Sequence, residues 1–421
     1  MNLVWGTVVS ADIDHCTVEV DGREGTARAI AYPDLVGPVA AADRVLLNTT
    51  AVDLDLGTGG DHFIVAVIAE GKRPEGVAFS DESGGHMMKL RYTPLQRDVL
   101  ACEAPEASSH TIMKKVSSLE DIPVVCCGLH SQVPIVAATV KAEAPHLRVG
   151  YIMTDQAALH LDYSHLIKQC VESGLLDATI TVGQALGGQY EAINLYSGLL
   201  CGCHVCACDV LIVAIGPGVA GTATPFGNGG IAQGEAINAV TSLGGRPIAT
   251  LRMSFADKRE RHQGISHHTL TALEVIAHAP AILAIPALSD KTQRQRVDEQ
   301  LDTLDGLAQH QGVFFDELMF DQAHLGDIEV TTMGRGYADD PVFFEAAASA
   351  GMIAAQIGTV AAEQAISDFL ETKNPPAGED GAGCQPSSCA SCPLTCDLPP
   401  TSVDDRSPDS AETINDEPTA P

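Results

Sequence analysis

Positive charge is scarce in this chain: 24 Lys and Arg stand against 55 Asp and Glu, a formal net charge of −31. A surface so acidic repels a phosphate backbone and an anionic bilayer at long range, which excludes duplex nucleic acid and membrane surfaces as partners. No run approaches the ~18 consecutive apolar residues of a membrane helix. The opening MNLVWGTVVSADIDH lacks the cationic flank and continuous apolar core of a secretory signal. Together these absences predict a cytoplasmic protein, in which the thirteen cysteines, an odd number, are reduced thiols or metal ligands rather than a disulfide framework. G-x-x-x-x-G-K-[ST] is also absent, which rules out a P-loop.

What is present is a chain of 421 residues, 45% hydrophobic and 19% charged, long enough to bury a large core across two or three domains. Residues 3–69 alternate short β-rich runs (VWGTVVSA, CTVEV, ARAIAY, DRVLLNTTAV, HFIVAVIA) with turns, which predicts a small antiparallel β-barrel. HMMKLRYT, 86–93, adds one more candidate strand, and 94–121 reads as a connection. From Pro123 onward the continuously apolar runs VVCCGL, RVGYIMTD, ATITVGQA, DVLIVAIG, PIATLRMSF and AILAIPAL alternate with helix-like stretches. That is the pattern of a doubly wound, mostly parallel α/β sheet covered on both faces, completed by GVFFDEL, IEVTTMG and an Ala-rich helix over 341–370. The expected division is a barrel over 1–93, the connection, an α/β ligand-binding domain over 122–372, and a tail over 373–421. The tail has nine prolines and nine acidic residues against two basic ones, a composition that predicts disorder.

Ligands of an open parallel sheet bind outside the carboxyl ends of its strands. The segments that follow the strands here are polar and glycine-rich: LHSQ with His130, Ser131 and Gln132; TDQ with Asp155; GQALGGQYE with Gln184 and Gln189; GPGVAGTATPFGNGG, 216–230; and FADKRERHQGISHHT, 255–269. Five successive strands would deliver these loops to one edge.

The glycine-rich segment begins G-x-G-x-x-G at Gly216, Gly218 and Gly221. The next helix starts late and no acidic residue closes a second strand about 20 positions on, so NAD is disfavoured. Such a loop can instead present backbone N–H groups to an anion as far as Gly230, with Thr222 and Thr224 adding hydroxyls and Gln233 and Glu235 opening the following helix. Arg246, Arg252, Lys258, Arg259 and Arg261 then crowd into sixteen residues, and His262, His267 and His268 follow. Ser266 is placed to cap a helix carrying His268 and Thr269. In so acidic a chain this concentration predicts a site for a phosphate, carboxylate or nucleotide, with His130, His262, His267 or His268 as candidate proton carriers. The same histidines with Asp257, His130 or Asp155 would be an alternative metal set, although H-x4-H-H matches no strong signature and cationic neighbours oppose a cation.

Two cysteine clusters stand apart. Cys201, Cys203, Cys206 and Cys208 fall before the DVLIVAI strand, at the opposite edge; buried thiols are expected there, with a structural metal as the alternative. Cys384, Cys389, Cys392 and Cys396, in the acidic tail, are candidate ligands for zinc or an iron–sulfur cluster. In the barrel, GTGG followed by Asp61 and His62 reads as a hairpin turn before it reads as an anion nest.

The stretches AIAYPDLVGPV, LLNTTAVDLDLGTGGDHFIVA, KLRYTPLQ, GLHSQVP, IGPGVAGTATPFGNGGIAQGEAINAVTSLGGRPIA and SFADKRERHQGISHHT resemble a bacterial domain-of-unknown-function family, number 3866, over residues 1 to about 370. The resemblance implies a shared fold and a shared surface at these loops, and no activity. The residues themselves lead to the expectation of a protein that binds and transforms an anionic, phosphorylated small molecule at the sheet edge, with a non-catalytic sensor of the same ligand as the alternative. The residues leave the cofactor open, with zinc or an iron–sulfur cluster as candidates in the tail and NAD disfavoured. A homo-oligomer is compatible with the sequence.

Overall fold

The computed structural model describes residues 1–12, 15–55, 60–68, 85–93, 95–304 and 310–373, without side chains at 34 and 363–373. Residues Met1–Phe369 form one compact unit. The tail and its four cysteines lie outside the described residues, as do 57–59 of the GTGG turn.

Five strands, β1 (Leu3–Ala11), β2 (Cys16–Val20), β3 (Thr26–Ile30), β4 (Arg44–Asn48) and β5 (His62–Ile68), close a barrel in the order β1-β2-β3-β5-β4. Their alternation turns Val8, Val18, Val45, Leu47 and Ile64 inward onto one small core. Register shifts in β1 at Val8/Ser10 and between β4 and β5 at Leu46/Leu47 bend the sheet toward closure. The barrel departs from the expected antiparallel pattern at one place. β3 and β5 pair in parallel, because the short helix Pro33–Val36 and β4 intervene and return the chain in the direction of β3. A five-stranded barrel so connected has the OB-fold arrangement.

The candidate strand at 86–93 does not join the barrel. β6 (Met87–Lys89) pairs antiparallel with β7 (Arg97–Val99), so the presumed connection carries a strand, and also a helical turn at His110–Met113. Lys89 explains the departure. Its buried Nζ donates to Thr181 O at 3.0 Å, to Ala185 O, and to Glu191 Oε2 at 2.5 Å, which fastens the hairpin to the edge of the large sheet.

That sheet contains β8 (Pro123–Cys126), β9 (Val149–Thr154), β10 (Ala178–Thr181), β11 (Tyr190–Glu191), β12 (Val210–Ile215), β13 (Arg246–Ala249), then, after the short antiparallel pair β14 (Met253–Ser254) and β15 (Gly264–Ile265), β16 (Ile282–Ile285) and β17 (Gln311–Phe314). The order is β11-β10-β9-β12-β8-β13-β16-β17, and every pairing within it is parallel. Continuous apolar runs are required because both faces are covered: along β12, Val210, Ile212 and Ala214 enter one core, and Leu211 and Val213 the other. The helices after β8 and β9 belong to the first core, and those after β12 and β13 to the second. Since β9, β12, β8 and β13 are neighbours, their outgoing chains splay to alternate faces and leave a crevice at the carboxyl ends, the usual ligand position of such sheets.

Two apolar segments are broken where the sequence reads as continuous. PIATLRMSF divides into β13 and β14, since Thr250 and Leu251 leave the sheet to brace the crevice, and IEVTTMG forms only an isolated bridge, Thr332 to Arg335. Within the helix Pro341–Lys373, residues Pro341–Ala362 are long and apolar enough to cross a membrane by length and composition, yet 72% of that window is buried inside the fold, where Phe343 and Phe344 fill the first core.

Candidate functional site

The loop after β13 is pinched at its base by β14 and β15, and Ser266 then caps a helix beginning at His267, its Oγ accepting from the backbone N–H of His268 at 3.3 Å. This local structure gathers three imidazoles separated by up to six positions in sequence. Ring centroids of His262, His267 and His268 lie 4.3–5.1 Å apart, and one ring nitrogen from each falls within 4.8 Å of the others. Ser266 Oγ also sits 2.8 Å from His262 Nδ1. His267 Nε2 is buried without a hydrogen-bond partner.

Against this cluster lies Arg252, only 7% exposed. Its Nη1 is 3.3 Å from His268 Nδ1, and no carboxylate among the described residues forms an ion pair with it. The nearby Asp257 is committed elsewhere. Arg259 grips it in bidentate fashion at 2.9 and 2.7 Å, and the Arg335 guanidinium stands 3.8 Å away. The hydrogen bonds from Arg259 hold the Asp257 carboxyl well below the usual range. Arg335 in turn pairs with Asp340, which accepts from Ser254 Oγ.

Burial and these guanidinium charges lower all three histidines: His262 to about 3, His268 to about 4, and His267 in the same direction. The rings are therefore neutral at physiological pH. Burial, then Arg259, lowers Arg252 to about 10, which leaves it a cation. A guanidinium has only donors, so His268 Nδ1 must accept from it, and the ring proton belongs on Nε2. The cluster thus presents one buried cation and imidazole N–H donors, a set suited to an oxyanion. The three nitrogens are close enough to share a divalent ion, but the adjacent guanidinium both opposes a cation and fixes the wrong tautomer for ligation through His268 Nε2.

The glycine-rich loop forms a wall of this site and closes four of its amides on itself. Gly221 and Asn228 bridge antiparallel, and the N–H groups of Thr222, Gly227, Asn228 and Gly229 are spent on Gly227 O, Thr224 Oγ1, Phe226 O and Ala220 O. Gly221 faces His268, where a Cβ would lie 3.4 Å from His268 Cε1, in ordinary van der Waals contact. At Gly227 a Cβ would collide with the Thr222 and Thr224 hydroxyls, which bond each other at 3.0 Å.

The other residues expected at this edge divide by role. Gln132 and Gln233 are buried braces between the carboxyl ends of β8 and β13: Gln233 Nε2 donates to Cys126 O and Thr250 O, and Gln132 Oε1 accepts from Leu129 N and Thr250 Oγ1. Thr269 Oγ1 lies near Gly128 beside them. Gln233 Oε1 and Asn228 Oδ1 are buried acceptors without partners. His130 stands apart from the cluster with both nitrogens engaged, Nε2 with Ser164 Oγ at 2.6 Å and Nδ1 with Tyr151 Oη and Ile215 O at 3.2 Å; burial lowers it to about 4. Gln184 accepts from Leu90 N, Gln189 exchanges hydrogen bonds with Thr179, and Asp155 accepts from Gln184 N, all toward the β10 edge. Ser131 is half-buried, while Glu235, Lys258 and Arg261 are exposed. Arg246 lies at the amino end of β13, 3.6 Å from Asp121, on the far side of the sheet. Gly216, Gly218 and Gly230 line the path from β12 to the cluster, with a Cβ at Gly230 3.4 Å from His268 Cβ.

Outside this edge, Cys201, Cys206 and Cys208 are buried in the second core and Cys203 partly so; the nine described cysteines are free thiols. Asp61 pairs with Arg28 at 3.0 Å inside the barrel wall. Sequence spacing missed three contributors: Asn228, Arg335 and Asp340 are single polar residues in loops, with no periodic signal to mark them.

The model of the family described as a protein of unknown function, DUF3866, matches residues 28–351. That span contains Arg252, the three histidines and the glycine-rich loop, and excludes the tail cysteines. No curated protein matches the chain. Among solved structures, the crystal structure of YjeQ from Thermotoga maritima is similar to 43% of this chain and 51% of that one, about half its length, at 15% identity and a TM-score of 0.13.

Proposed function

We propose that this chain, which belongs to the DUF3866 family, binds a phosphorylated small molecule at the carboxyl edge of its parallel sheet and acts as a binding or sensor protein. The observation that carries this reading is Arg252: a guanidinium buried against three neutral imidazoles, with no carboxylate partner among the described residues. An unpaired buried charge costs several kcal/mol, and an anion in the crevice would offset that cost. Arg259 and the exposed Arg261 and Lys258 add positive potential at the mouth.

Binding is favoured over catalysis by what surrounds the rings. A general acid or base of neutral pH is usually a histidine oriented by a carboxylate. Here no Asp or Glu among the described residues hydrogen-bonds His262, His267 or His268, and their depressed basicity suits them to donate rather than to shuttle protons.

A thermal-stability screen against phosphate, sulfate, carboxylates, sugar phosphates and nucleotides tests the proposal. Phosphorylated compounds should raise the melting temperature of the wild type and not that of Arg252→Met. If no anion stabilises the wild type, the reading is wrong.

A further inference from the structure

A second feature shares the glycine-rich loop with the cation. Where the barrel meets the carboxyl edge of the sheet there is a cavity of about 360 Å³, lined by Tyr32 and Phe63 from the barrel, by His160, Tyr163 and Leu186 from the loops after β9 and β10, and by Gly218. A volume of that order accommodates a small organic ligand. Its walls are aromatic and ordered: Tyr32 stacks on His160 at 4.3 Å with 6° between the planes, and Phe63 lies 6.2 Å from Tyr32 and 6.1 Å from Tyr163.

The cavity and the cation are neighbours by chain length alone. Gly218 lines the cavity, and Gly221 packs on His268, so three residues, at most about 11 Å of chain, separate them. At the base of the same loop Asn228 holds a buried, unpartnered Oδ1, its orientation fixed because Nδ2 donates to Pro225 O at 3.0 Å. The loop therefore joins a flat apolar slot at Gly218 to the Gly221–Asn228 bridge, where a buried acceptor and the imidazole held by the cation stand together.

We propose that the slot takes the base of a nucleotide, that Asn228 Oδ1 accepts from a sugar hydroxyl, and that the phosphate reaches Arg252 and His268. This rests on the anion-binding reading above and adds the class of ligand. It also gives the barrel a role, since without Tyr32 and Phe63 the slot has one wall.

Isothermal titration calorimetry on the full chain tests it, with inorganic phosphate and the adenosine, guanosine, cytidine and uridine monophosphates as probes. The proteins are wild type, Arg252→Met, Phe63→Leu and Tyr163→Leu. At least one nucleotide should bind tenfold or more tightly than phosphate. Phe63→Leu and Tyr163→Leu should each weaken that nucleotide by about 5- to 150-fold, the range of ring stacking on an aromatic side chain, and leave phosphate affinity unchanged, which also reports an intact fold. The two variants are read separately, so a folding loss in one leaves the other decisive. If phosphate binds and every nucleotide binds no better, or both variants keep full nucleotide affinity, the base slot is overturned and the anion site stands. If neither phosphate nor any nucleotide binds, or Arg252→Met binds both undiminished, the anion site fails and the slot with it.

Discussion

Arg252 Nη1 lies 3.3 Å from Nδ1 of His268, donor against acceptor, in a place where no carboxylate among the described residues pairs with the guanidinium. The pairing fixes the imidazole as its Nε2–H tautomer. Nitrogen-15 spectra of histidine-labelled protein should show His268 neutral with the proton on Nε2 throughout pH 5–8, since burial and the neighbouring charges lower it to about 4. An imidazolium signal for His268 at pH 6 would mean that the guanidinium does not dominate this ring.

The same contact predicts a crossing of stability and function. Replacing a buried charge with an apolar side chain of similar length is commonly neutral or stabilising by about 1–4 kcal/mol. Arg252→Met should unfold at equal or higher urea concentration than the wild type in the absence of anions, and lose its response to phosphate. A variant destabilised by several kcal/mol would make Arg252 a structural strut instead.

Acid should weaken the fold in a defined window. His262 stands at about 3 and His130 and His268 at about 4, all below the ordinary ~6.5 of an unfolded chain. As pH falls through 6.5 the unfolded chain takes up protons that the folded one refuses. Stability is thus fully present above 6.5 and drains toward pH 4, at most about 1.4 kcal/mol per pH unit for each ring. Asp257, whose carboxyl is lowered, acts in the same direction but only below its unfolded value near 4. Urea unfolding at pH 7, 6 and 5 checks this, and a flat profile would show that the rings protonate in the native state.

Lys89 and Glu191 form a buried pair that ties the β6–β7 hairpin to the sheet. Removing one partner strands the other. Lys89→Met should cost about 3–5 kcal/mol, and the double change with Glu191→Leu should recover much of it. Chemical denaturation of the wild type, Lys89→Met, Glu191→Leu and the double variant measures the difference, and a double-variant loss equal to the sum of the two single losses would show no coupling.

Much of this architecture is legible in the residues because burial on both faces demands uninterrupted apolar runs, as in VLIVAI, and half-burial demands alternation, as in CTVEV. The parallel closure of β3 on β5 is not legible, since a strand pattern carries no direction. Nor is the fate of Met87–Lys89, which is decided by one buried lysine reaching across to Glu191. At the site, the clustering of cations in sequence marks the loop in which Arg252 and the three histidines are gathered. The spacing does not reveal that Arg246 belongs to the opposite end of its strand, that Asp257 is already bound by Arg259, or that Gly227 makes room for the Thr222 and Thr224 hydroxyls.

We propose that Arg252 is held ready for an anion. Calorimetric titration of inorganic phosphate into the wild type and into Arg252→Met tests it most directly. A saturable exchange of heat is expected in the wild type, and an affinity at least tenfold weaker in the variant. Equal titration curves for the two proteins would contradict it.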